Sequence, residues 1–93
     1  MALDFDWDDD KAESNLAKHG VSFVEATTVF EDPLSLDILD PDHSEDEMRY
    51  IKIGRSYNHR LLVIVYTERG VRERIISARE ATRNERRNYE EGI

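Results

Sequence analysis

The stretch LLVIVYTERGVRERIISAR, residues 61–79, decides the fold of this chain. Its first part, residues 61–68, is apolar on both faces of an extended chain, which is typical of a central strand. Arg69-Gly70 follows with a glycine suited to a tight turn, and residues 71–79 form a second strand-like run. Two such runs so close together predict an antiparallel hairpin in the middle of a sheet.

Alternating apolar and polar residues predict further strands around this hairpin. The predicted strands are residues 3–7, 34–38, 50–55, 61–68 and 71–79. Residues 40–44, Asp-Pro-Asp-His-Ser, have the composition of a loop, and residues 56–59 that of a turn.

Helical periodicity and capping residues predict three helices. The predicted helices are residues 9–19, 23–30 and 83–91. The first follows the capping carboxylates of residues 8–10 and places Ala12, Leu16 and His19 on one face. Gly20 suits its C-terminal end, and the pairs Ser22/Glu25 and Thr82/Glu85 match the capping-box pattern of the other two.

The resulting order of elements is β-α-α-β-β-β-β-α, which indicates an α+β domain. We expect an N-terminal strand and a helical hairpin packed on a twisted antiparallel sheet, with a C-terminal helix. A length of 93 residues allows one domain, residues 1–93.

Composition excludes several classes of protein. The chain has no cysteine, which excludes disulfides, thiolate zinc sites and a cysteine nucleophile. The longest apolar run, Leu61 to Tyr66, is far shorter than the ~20 residues that cross a bilayer. The N-terminus is acidic and has no apolar signal region, so we expect a cytoplasmic protein with no membrane partner.

The formal net charge of −8 combines two unlike halves. Residues 1–48 carry two lysines and fifteen acidic residues, a balance of −13, whereas residues 49–93 carry eleven basic and six acidic residues, a balance of +5. All ten arginines lie from Arg49 onward. This asymmetry indicates either two faces with different partners or two halves that neutralise each other through salt bridges.

Four segments resemble the BrnT family of type II toxins, whose fold is similar to that of RelE and ParE toxins. They are WDDDKAESNLAKHGVSFVEATTVFEDP (7–33), IGRS (53–56), RLLVIVYTERG (60–70) and IISAREATRNERRNYEE (75–91). The resemblance covers about residues 5–91. It implies a toxin that cuts RNA without a metal ion or other cofactor and stops translation. It also implies a BrnA-like antitoxin with a ribbon-helix-helix domain, a heterotetrameric complex, and binding of operator DNA only through the antitoxin.

Metal-independent RNA cleavage requires a base, an acid and a cation that stabilises the charged phosphate. Arg55 and Arg79 are the first candidates for the cation, because each ends an apolar strand face within a family-like motif. Each arginine could instead pair with a carboxylate at the edge of the core. Arg74 is a third candidate, although its odd spacing from Arg79 predicts the opposite face of the strand.

The candidates for proton transfer are His19, Glu68 and Tyr66. The ordinary pKa of histidine suits acid–base chemistry, but His19 could equally cap the end of its helix. Tyr66 could also stack on a base or simply pack in the core.

Arg83, Arg86 and Arg87 form a basic stripe that could contact RNA, or could be a solvated face with local ion pairs. On the same predicted helix, Tyr89 could anchor the helix to the sheet.

We expect no metal site. The loop residues Asp40, Asp42, His43 and Glu45 match no calcium or zinc spacing, and His43 and His59 are predicted to be surface residues.

Two other functions fit a similar scaffold: a ParE-like toxin that acts on DNA gyrase, and an interaction module without catalysis. For the ribonuclease function we expect the basic residues to converge on one concave face.

Overall fold

The computed structural model describes residues 3–40, 42 and 47–92. The strands are β1 (Asp4–Asp6), β2 (Leu36–Leu39), β3 (Arg49–Arg55), β4 (Leu61–Arg69) and β5 (Arg72–Glu80). The helices are α1 (Asp9–His19), α2 (Phe23–Thr28) and α3 (Arg83–Glu91), and a 3-10 turn, Val29–Glu31, continues α2. The fold is α+β, as predicted. Of the predicted 40–44 loop, residues 41, 43 and 44 lie outside the described residues.

The strands form one sheet in the order β1-β5-β4-β3-β2. Strands β2 to β5 are an antiparallel meander, so the central hairpin predicted from residues 61–79 is confirmed. The N-terminal strand differs from an all-antiparallel arrangement, because β1 pairs with β5 in parallel. The sheet is therefore mixed, with β1 and β2 at its two edges.

The side of the sheet that faces α1 and α2, here called the inner face, holds the main core. Leu62, Ile64 and Ile75 are at most 1% exposed and pack with residues of α2. Burial of one such side chain contributes about 1.5–3 kcal/mol. The opposite side, here called the outer face, has a smaller core of Leu61, Val63 and Ile53, against which Tyr89 of α3 packs.

The predicted capping residues hold the helices. Asp8 accepts hydrogen bonds from the first turn of α1, and Gly20 ends that helix with a φ of 69°. Ser22 caps α2, and Thr82 and Glu85 form a reciprocal capping box on α3. The short helices thus start and stop where their side chains satisfy free backbone groups.

The orientation of α1 differs from the apolar pattern of its sequence. Asn15, 7% exposed, faces β5, and its amide donates to Ala78 O at 2.8 Å and accepts from Ala78 N at 3.1 Å. Leu16, which the pattern places beside Ala12 on the apolar face, is 51% exposed. An amide that satisfies both backbone groups of one strand residue therefore decides which side of α1 meets the sheet.

Candidate functional site

The strand register gathers arginines on the outer face. Leu61, Val63 and Thr67 of β4 point to that face, and their partners on β3 and β5 include Arg55, Arg79 and Arg74. Cross-strand partners point to the same side of a sheet. By this register the arginines on the outer face are Arg49, Arg55, Arg69, Arg72, Arg74 and Arg79. On the described strands, the basic residue of the inner face is Lys52.

A β-bulge in β5 explains why Arg74 lies with the others. Val65 pairs with Ser77 but Tyr66 pairs with Ile75, so Ile76 is an extra residue. The extra residue reverses the alternation of side chains along β5. The prediction that Arg74 lies opposite Arg79 is therefore wrong. The expectation that Arg79 ends an apolar strand face is also wrong, because Ile75 points to the inner face.

Arg79 makes a two-pronged ion pair with α3. Its two terminal nitrogens donate to the two carboxylate oxygens of Glu85, each at 2.8 Å. Glu85 also accepts from the backbone N–H of Thr82 at 2.8 Å as part of the capping box. The Arg79 guanidinium, followed by this backbone bond, lowers the pKa of Glu85 to about 2 although burial opposes the change. One carboxylate thus holds both the start of α3 and the fork of Arg79.

Arg55 lies below the end of the same helix. Its guanidinium carbon is 5.7 Å from the centre of the Tyr89 ring, and the Tyr89 hydroxyl donates to Asp32 at 2.6 Å. Asp32 also accepts from the backbone N–H of Arg55 at 2.8 Å. Burial and this bond to Asp32 raise the pKa of Tyr89. These contacts of Tyr89 with Asp32 and Arg55 agree with the hypothesis that Tyr89 anchors the helix to the sheet.

Glu85 and Tyr89 are one helical turn apart, so α3 crosses this end of the outer face with one side chain on each arginine. Arg55 and Arg79 flank β4 with an offset of two residues, which gives a Cα separation of about 12 Å. Arg83, Arg86 and Arg87 are exposed on α3 and form no ion pair with a described residue. This end of the outer face therefore combines two partly covered arginines with three open ones.

The other end of the outer face holds a buried hydroxyl among cations. Thr67 pairs with Arg49 on one side and Arg74 on the other and is fully buried. Within the described part of the chain, its Oγ1 has no hydrogen-bond partner. Arg74 donates to Asp6 at 3.1 Å, and Arg69 pairs with Glu47.

Two predicted proton-transfer residues lie on the opposite side of the sheet. Tyr66 is 7% exposed on the inner face, where its hydroxyl donates to Asp37 at 2.9 Å. Burial and this bond raise the pKa of Tyr66. Glu68 is exposed and shares the inner face with Glu73, whose pKa is raised by burial and by Glu68. The grouping of Tyr66 and Glu68 with Arg55 and Arg79 is wrong, because alternation along β4 points them away.

His19 is the remaining candidate for proton transfer. It is exposed at the end of α1, in a groove of about 220 Å³ that is also lined by Ile76 and Ser77. Ser77 points to the outer face, so the groove that His19 shares with it runs along the edge of β5 between the two sides of the sheet. His59 is exposed in the turn after β3, and His43 and Glu45 lie outside the described residues.

Ion pairs join the acidic and basic halves of the chain. Within residues 3–40, 42 and 47–92, four pairs do so: Asp6–Arg74, Glu25–Arg60, Asp37–Lys52 and Glu47–Arg69. The interpretation that the two halves neutralise each other through salt bridges is therefore confirmed in part. Among the same residues, no group of three His, Cys, Asp or Glu could hold a metal ion.

The contacts that define the α3 end were not expected from sequence. The capping-box pattern identified Glu85 but gave no sign that its carboxylate reaches back to Arg79. No sequence pattern pointed to Asp32, which joins Tyr89 to β3. Both contacts depend on how α3 folds back on the sheet. The sequence features that could have indicated them are the capping motif at Glu85 and the spacing of four residues between Glu85 and Tyr89.

The family described as "Ribonuclease toxin, BrnT, of type II toxin-antitoxin system" matches residues 7–85. The crystal structure of the Brucella abortus ribonuclease toxin BrnT superposes with a TM-score of 0.67 and 26% sequence identity, over 88% of this chain and 100% of that one. No curated protein sequence matches. No described helix has the length and apolar character needed to span a membrane. The chain belongs to the BrnT family, the ribonuclease toxins of type II toxin–antitoxin systems.

Proposed function

We propose that the outer face binds RNA and that cleavage takes place at its α3 end. The observation that supports this is the segregation of six arginines on one side of the sheet. A face of this kind attracts a phosphate chain, and the planar fork of arginine binds phosphate oxygens in pairs. The net charge of −8 does not contradict RNA binding, because it is a sum over the whole chain, whereas the arginines are concentrated on the outer face.

In this proposal Arg55 and Arg79 stabilise the negative charge that develops on the scissile phosphate as the 2′-oxygen attacks. Both lie near open surface: Arg55 lines a groove of about 280 Å³ beside Asp32 and Tyr57, and the Arg79 side chain is 41% exposed. Glu85 occupies the fork of Arg79 in the manner of a phosphate, so RNA must displace it or share the cation. His19 is the candidate for proton transfer, since it lies beside Ser77 at the edge of this face.

We propose that cleavage needs no metal ion, since positioned arginines can supply the charge stabilisation that a metal ion would otherwise give. The test uses the purified chain with a single-stranded RNA in the presence of EDTA. We expect cleavage to persist, and Arg55→Ala and Arg79→Ala each to lower its rate by about 100-fold. Arg79→Lys should recover little, because lysine lacks the fork.

The control is Val24→Ala, which truncates an exposed side chain on α2, on the other side of the sheet from the arginines. It should cleave like the wild type. Loss of all cleavage in EDTA would overturn metal independence. Equal rates for Arg79→Ala and Val24→Ala would overturn the assignment of the outer face.

The proposals on cellular location, effect on translation and antitoxin partner rest on membership of the BrnT family. We propose a cytoplasmic toxin, similar in fold to RelE and ParE, that inhibits translation. We further propose a BrnA-like antitoxin with a ribbon-helix-helix domain that binds operator DNA and forms a heterotetramer with the toxin. Separate labelling of new protein and new DNA after expression tests the effect on translation. The mass of the purified complex tests the assembly.

A further inference from the structure

An apolar groove lies between α1 and the start of α2. It has a volume of about 300 Å³. Its lining includes Trp7, Ala12, Glu13, Leu16, Phe23 and Val24. Since α1 and α2 pack against the inner face, the groove is on the opposite side of the molecule from the arginines of the outer face.

The groove contains apolar surface that the chain itself does not use. Leu16 is 51% exposed and Val24 is 61% exposed. Their exposure follows from the packing of α1, which meets β5 through the amide of Asn15 rather than through its apolar stripe. Neighbouring exposed apolar side chains of this size mark surfaces that bind another molecule.

The charges around the groove define the chemistry of its occupant. Glu13 lines the groove, and Asp9 lies one turn before it on α1. Neither carboxylate forms an ion pair with any residue that the structure describes. An apolar groove with unpaired carboxylates on one rim is complementary to an apolar surface that carries lysine or arginine at its edge.

We propose that the antitoxin docks in this groove with a basic amphipathic helix. Two apolar side chains of that helix, three or four residues apart, pack on Leu16 and Val24, and a lysine or arginine pairs with Asp9 or Glu13. The proposal rests on the antitoxin partner that the family implies, and not on where RNA is cut. Because the groove and the outer face lie on opposite sides of the sheet, substitutions in the groove separate antitoxin binding from RNA cleavage.

The experiment compares the double variant Leu16→Glu/Val24→Glu with Val71→Glu. Val71 is 83% exposed in the turn between β4 and β5 and does not line the groove, so the control adds a carboxylate at an apolar surface position outside it. The probe is the partner antitoxin that the family implies, purified separately with an affinity tag, and its affinity for each toxin variant is measured by calorimetry. We expect the double variant to bind at least about 30-fold more weakly and Val71→Glu to bind like the wild type. Circular dichroism verifies that both variants are folded.

A second arm tests the charges. Asp9→Lys/Glu13→Lys should weaken binding and reduce its dependence on salt. Affinity that is unchanged in both double variants, or lowered equally by Val71→Glu, would overturn the proposal. So would a wild-type toxin that is dimeric alone and becomes monomeric in Leu16→Glu/Val24→Glu, because a second copy would then occupy the groove. RNA cleavage by the same samples is scored separately: its absence in the wild type refutes the proposed site of cleavage and leaves the binding result intact.

Discussion

Glu85 has two partners, and the substitution Glu85→Gln separates them. Glutamine is accepted at this position of a capping box, so the bond to the Thr82 N–H can persist. The two-pronged pair with Arg79 cannot persist, because an amide offers one acceptor oxygen and no charge. The substitution therefore measures what the ion pair contributes to the attachment of α3.

The expected loss of folding free energy follows from the pKa of Glu85, which falls from 4.5 to about 2 in the folded protein. A difference of this size corresponds to about 3 kcal/mol at most. Solvent screens the pair, because the Arg79 side chain is 41% exposed, and we therefore expect a loss of about 1–2 kcal/mol at pH 7. For a domain of this size that loss lowers Tm by about 5–15 °C.

The same pair makes stability depend on acid. Because the folded state favours ionised Glu85, its contribution is complete above pH 4.5 and is lost as the pH falls toward 2. The glutamine variant should therefore lose less stability than the wild type over this interval. Thermal unfolding followed by circular dichroism at pH 7, 5, 4 and 3 measures both effects.

The matched control is Glu90→Gln, the same change at an exposed position of α3 that has no ion pair with a described residue. It should leave Tm almost unchanged at pH 7. If both variants lower Tm equally, or if Glu85→Gln retains the full acid sensitivity of the wild type, the role assigned to the ion pair is wrong.

Three further substitutions test contacts that hold the elements together. Tyr89→Phe removes the donor to Asp32 and should cost about 1 kcal/mol; unfolding in urea measures it, and an unchanged midpoint would contradict an anchoring role. Asn15→Ala leaves both backbone groups of Ala78 unsatisfied and should cost about 3 kcal/mol, with faster hydrogen exchange at the Ala78 amide as its specific sign. Gly54→Ala should cost about 1–3 kcal/mol by thermal unfolding, because a Cβ there would lie 2.9 Å from a side-chain carbon, and a neutral result would mean that the neighbouring turn can shift.

Sequence patterns predicted most of the fold because the strongest signals are local. The hairpin at residues 61–79, the capping residues and Gly20 all act within a few residues of where they stand. Side-chain orientation within elements was harder to predict. The bulge at Ile76 is hidden because its neighbour Ile75 is identical, and Asn15 faces the sheet because of bonds to a strand 63 residues away.

The candidate site was predictable in residue type and not in arrangement. Arg55 and Arg79 share the outer face as the pattern of their strands predicts, although the apolar residue expected beside Arg79 points to the inner face. Tyr66 and Glu68 are predicted as proton-transfer residues because they share a face at the end of the central strand, but alternation along β4 points that face away from Arg55 and Arg79. The pairing of Arg79 with Glu85 depends on how α3 folds back, which no local pattern encodes.

The bulge in β5 makes Ile76 a residue that the strand can lose without turning its neighbours over. Ser77 and Ile75 already pair with the consecutive residues Val65 and Tyr66, so a chain without Ile76 would pair in regular register and keep Arg74 on the outer face. A register slip that straightens the strand with Ile76 retained would instead turn Arg72 and Arg74 toward the hydrophobic core and Glu73 away from it. Relatives of this chain can therefore be one residue shorter at this position, whereas a chain of the same length must keep the bulge.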